Sequence, residues 1–170
     1  MTRSYLRAAA LGFALFGASS AFAGDSASMT SKALLFKPLT LTKLSDLDFG
    51  TIVPSGSGDL VTIDADSGAR TSPTAGLIAS EPGQRARFAS SGSKNKVVVL
   101  QISGPTELSD GAGNVLTVTR LDLDQGGKTV RFLTPTSQVF FVGIGGQVQV
   151  RANQAEGSYS GTFTLTAHYP

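Results

Sequence analysis

The chain has 170 residues, with 14 Lys and Arg against 12 Asp and Glu, one His, no Cys and no Trp. One histidine without cysteine is a poor basis for zinc or for a Ser-His-Asp triad, and the near-neutral charge argues against a nucleic-acid footprint. Without disulfides the domain must be held by packing alone.

Residues 1–23 read as a secretory signal peptide. Arg3 and Arg7 give the positive start, an apolar run follows, and Ala21-Phe22-Ala23 offers a small-x-small cleavage site before Gly24. The run is too short for a spanning helix, which needs ~20 apolar residues. The expectation is export to the periplasm, cell surface or medium. Removing Arg3 and Arg7 brings the charges level. No later segment is apolar enough to span a bilayer as a helix.

Residues 24–37 read as an N-terminal arm, small and polar to Lys32, then apolar without clean alternation. Residues 38–170 are long enough for one domain with its own core. Leu39 and Leu41 share a face of a short strand. Residues 46–53 continue it, with Leu47 and Phe49 one way, Asp46 and Asp48 the other, and a bend at Gly50. Val61 and Ile63 pair on the next strand, residues 74–80 form a weak one, and Ala86 and Phe88 alternate with Arg85 and Arg87. Residues 96–103 are the most apolar β-branched run and belong at the centre of a sheet. Residues 115–124 are extended, and Gln125-Gly126-Gly127-Lys128 reads as a hairpin turn into residues 129–133. Residues 138–142 pass through a glycine-rich link into residues 147–152.

The last fourteen residues carry the cleanest pattern. Tyr159, Gly161, Phe163, Leu165, Ala167 and Tyr169 fall on one parity, with Ser, Thr and His168 on the other. Such a strand has one buried and one wet face, and Gly161 marks a bulge or a close backbone approach. Many short strands with frequent turns predict an all-β, immunoglobulin-like antiparallel β-sandwich after the signal peptide.

No catalytic, cofactor or metal set emerges. His168 sits on the wet parity. The pairs Asp46/Asp48, Asp64/Asp66 and Asp122/Asp124 could each present two carboxylates, but calcium takes six to eight oxygens. Gly126-Gly127-Lys128-Thr129 runs strand to strand, without the helix N-terminus that would hold a phosphate.

Leu47-Asp48-Phe49-Gly50 and the G-x-Y-x-G-x-F pattern of residues 157–163 resemble the motifs of exported bacterial proteins known only as a domain of unknown function. The resemblance spans residues 38–169 and includes residues 56–64 and 148–155. The closing strand is also similar to those of spore-coat-U-like and archaic chaperone–usher pilins, although this chain lacks the cysteines many of them carry. The resemblance implies a non-enzymatic structural subunit, pilin-like or built into a surface fibre. Its partners would be copies of itself or a periplasmic chaperone, and its assembly strand would carry Tyr159, Gly161, Phe163, Leu165 and Tyr169. Donor-strand exchange by the arm is a minority expectation beside an arm that completes its own domain. The alternatives are a secreted monomeric module binding carbohydrate or acting as an adhesin and, less favoured, a small outer-membrane barrel.

Overall fold

The most apolar run becomes the middle of a sheet. In the computed structural model, which describes residues 26–170, β7 (Val98–Ser103) lies between β10 (Val130–Leu133) and β12 (Thr164–His168), all antiparallel. The remaining strands are β1 (Thr40–Ser45), β2 (Ile52–Val53), β3 (Asp59–Ile63), β4 (Arg70–Thr71), β5 (Gly76–Leu77), β6 (Ala86–Ser91), β8 (Glu107–Ser109), β9 (Val115–Leu123) and β11 (Val139–Val150). The seven-stranded sheet runs β1-β6-β11-β3-β4, with β9 on β11 and β8 on β9. Strands β2 and β5 form a separate pair. The described residues contain no helix, and the architecture is the expected all-β antiparallel sandwich.

Strand β11 organises the larger sheet. Ile144 pairs with both Ala86 and Leu123, and residues 146–149 pair with both β3 and β9. A residue has ladder partners on both sides only when they flank it, so β6 and β3 follow one another along one edge and β9 lies along the other. The sequence suggests two segments joined by a glycine-rich link, but one twelve-residue strand is present. Its glycines serve packing rather than a turn. A Cβ on Gly145 would lie 2.3 Å from the Ile63 carbonyl oxygen, and one on Gly143 2.5 Å from that of Ala65.

The main core joins the two sheets. Ala86, Leu123, Val142 and Ile144 of the larger sheet pack with Val98, Leu100 and Ile102 of β7. A second cluster of Val61, Ala75, Leu116, Val148 and Val150 lies toward the other end of β11. Full burial of each aliphatic side chain contributes ~1.5–3 kcal/mol relative to exposure. Val61, Ile63, Ala86 and Phe88 occupy the faces their alternation predicts, although Phe88 is only half-buried. Ser90 Oγ is buried without a hydrogen-bond partner. Removing that desolvated hydroxyl with Ser90→Ala should stabilise the domain by ~1 kcal/mol, visible as a higher thermal midpoint.

Two further readings need correction. Residues 125–128 do not close a hairpin. After one bond from Leu123 N–H to Lys128 O, β9 and β10 belong to different sheets. The turn carries the chain across the sandwich because β7 offers β10 a partner edge. Second, residues 46–51 are not a continuation of β1; apart from a bridge between Asp48 and Gln84 they lie outside the strands.

The chain forms two compact units, divided between Leu34 and Leu35. The described part of the first, residues 26–34, has no regular secondary structure and is exposed throughout. In the second, Phe36 packs against Tyr169 with ring centroids 4.8 Å apart and the ring planes tilted by 55°. The predicted cleavage residues Ala21, Ala23 and Gly24 lie outside the described residues. No described helix is long and apolar enough to cross a membrane.

Candidate functional site

The two sequence motifs face the same space. A cleft of about 1190 Å³ is lined on one side by residues 47–54 and 81–84, and on another by residues 154–161 and Phe163. Leu108, Leu116, Val118 and Leu121 also line it. The lining includes β2, which pairs only with β5, and Leu108 of β8; neither β1 nor β12 contributes a residue to it.

The first wall is built around two glycines. Gly50 has φ +66° and Gly83 φ +72°, in the left-handed region where a Cβ is disfavoured. A Cβ on Gly50 would lie 2.3 Å from Glu81 O, and one on Gly83 2.4 Å from Asp48 O. Asp48 and Gln84 exchange backbone bonds of 2.9 and 2.8 Å. Asp48 Oδ1 accepts the Gly50 N–H at 2.8 Å. Arg70 donates to the carbonyls of Phe49, Thr51 and Ile78 at 2.9, 3.1 and 2.6 Å. This turn leaves Leu47 packed on the main core and Phe49 on the second cluster. The sequence pattern revealed the turn but gave no sign of the Arg70 clamp.

The second wall switches sheets. Ser160 pairs with Ser109 beside β8, whereas from Thr164 the chain pairs with β7. The regular strand is therefore five residues long rather than fourteen. Gly161 permits the crossing: a Cβ there would lie 2.9 Å from Leu108 and 3.0 Å from Pro105. Gln154 Nε2 donates to Tyr159 Oη at 2.9 Å, and that hydroxyl donates to Ala155 O at 2.7 Å. The wall is also close to the β8–β9 turn, where Gly157 lies against Asp110. The Asn114 amide, with the Ala112 and Asn114 backbone N–H groups, holds the Asp110 carboxyl below its ordinary range.

The expected alternation persists except at Gly161, which is exposed. Tyr159, Phe163, Leu165, Ala167 and Tyr169 are half-buried, while Thr164, Thr166 and His168 are exposed. Tyr159, Gly161 and Phe163 line the cleft; Leu165 and Tyr169 instead pack on the main core. Tyr169 Oη donates to Lys37 O at 2.9 Å and accepts the Ser93 N–H at 2.6 Å. That closes β12 onto the start of β1 at the Tyr169 end.

The paired aspartates are engaged locally. Asp46 pairs with Lys43, Asp122 with Arg120 and Asp124 with Arg131. Asp64 accepts from Ser67, and Asp66 from the Gln125 N–H. Among the described residues no group of three His, Cys, Asp or Glu side chains is placed to hold a metal ion.

Asp59 fixes the loop beneath the second cluster. The Ser72 hydroxyl above all, then the backbone N–H groups of Thr74, Ala75 and Leu60, hold its carboxyl far below the ordinary range. A depressed folded pKa contributes stability above the unfolded value of ~3.9, and that contribution is lost as pH falls through the folded value. Asp59→Asn should therefore flatten the acid limb of the stability profile in urea titrations below pH 4, with a smaller change in slope near pH 7.

No curated protein and no solved structure matches this sequence. A family model does match, over residues 39–169, and includes both walls of the cleft. The chain therefore belongs to the family described as Domain of unknown function (DUF4402).

Proposed function

We propose that this chain is a non-enzymatic, exported structural subunit that assembles with copies of itself, each cleft taking an extended segment from another copy. The supporting observation is a cleft with apolar lining from Leu108, Leu116, Val118 and Phe163, lying between the walls at residues 47–54 and 154–161. An incoming extended segment there would place alternate side chains on the apolar floor and meet the outer side of β2, which pairs only with β5. The segment we assign to it is the arm, where Met29, Leu34 and Leu35 are 95%, 73% and 87% exposed. The similarity of the closing strand to pilin strands points the same way. A periplasmic chaperone would occupy the cleft before assembly.

Size-exclusion chromatography and negative-stain microscopy test this on the exported full chain and on a variant lacking residues 26–34. The full chain is expected to form polymers. The variant should remain monomeric with an unchanged thermal midpoint. A monomeric full chain would defeat the proposal. So would a variant that unfolds or aggregates, because the arm would then belong to its own domain.

A further inference from the structure

The charges around the cleft have one sign. Its charged lining residues are Asp48, Glu81 and Glu156, with no Lys or Arg among them. Arg70 lies behind the wall, its guanidinium directed at three backbone carbonyls. Asp48 accepts the Gly50 N–H and Glu81 the Thr51 hydroxyl. Glu156 is exposed and makes no hydrogen bond or ion pair among the described residues. The arm, residues 24–37, carries Asp25, Lys32 and Lys37, and Lys37 Nζ donates to Gln138 Oε1 at 2.9 Å in its own copy. In an extended arm Lys32 has the opposite parity to Met29, Ala33 and Leu35. With those three on the apolar floor, Lys32 and Leu34 face the rim.

We infer that the cleft recognises the arm of a second copy by charge as well as by shape, with Lys32 of one copy pairing with Glu156 of the next. This rests on the assembly reading above and adds the selection rule. An acidic segment is repelled by the rim, and a neutral one lacks the attraction that speeds encounter. Assembly should accordingly slow as salt rises.

The test is a charge swap in the full chain, read by light scattering at low salt. Lys32→Glu should slow assembly about tenfold, and Glu156→Lys should do likewise. The double variant should recover most of the wild-type rate, a result that damage to folding would not give. Lys32→Gln should show a smaller loss and a weaker salt dependence. Lys32→Glu assembling like the wild type would overturn the inference, as would a double variant no faster than Lys32→Glu. In either case the assembly reading survives if deletion of residues 26–34 still abolishes polymers. A wild-type chain that never assembles removes both.

Discussion

Gly50→Ala is expected to be among the most damaging single substitutions in the domain, at about 3 kcal/mol or more. Two effects combine. A left-handed backbone costs a non-glycine residue ~1–2 kcal/mol. The new methyl group would also meet the Glu81 carbonyl at 2.3 Å and the Arg70 guanidinium at 2.5 Å, forcing the wall apart. Two controls separate these effects. Gly111 has φ +76° but open space around it, so Gly111→Ala should lose only the backbone part, ~1 kcal/mol. Gly56 has neither constraint, and its substitution should be nearly neutral. Urea midpoints at constant slope check the order.

The second large effect is predicted at the ion pair joining the sheets. Arg131 on β10 contacts Asp124 just beyond β9, and their side chains are 8% and 13% exposed. Asp124 also accepts the Gly143 N–H at 2.9 Å, while Arg131 donates to Gln125 Oε1 at 2.6 Å. Removing one partner strands a buried charge, so Asp124→Ala or Arg131→Ala should cost ~3–5 kcal/mol. Replacing both, as in Asp124→Leu with Arg131→Met, should recover part of that loss; the Gly143 N–H remains without its acceptor. A double-mutant cycle from urea unfolding measures the coupling, and additive losses would mean that the pair contributes nothing as a unit.

Periodicity made the sandwich legible wherever one face is dry. Val61 and Ile63, the run in β7, and Tyr159, Phe163, Leu165, Ala167 and Tyr169 lie as their spacing predicts, whereas Gly161, on the same parity, is exposed. Glycine was harder to interpret. The same residue type makes the turn at Gly50, the close approach inside β11 at Gly145 and the sheet crossing at Gly161, and local sequence does not distinguish these roles. Long-range partners decide them. The cleft was half legible: both motifs stood out, but their convergence depends on Gly83, Arg70 and the bridge from Ser160 to Ser109, all distant in sequence. Its floor, Leu116 and Val118, lay in a recognised strand without a sign of which face was covered.

The most direct test of an arm seated in a neighbour's cleft uses the absence of cysteine from the chain. Leu34→Cys and Ser158→Cys would be made in separate full chains, one of them isotopically heavy, then mixed and oxidised. The account predicts a disulfide between position 34 of one copy and position 158 of the other, identified by its mixed-isotope mass. Failure of that pair to form, with a 34–158 bond appearing only within a single chain carrying both substitutions, would contradict it.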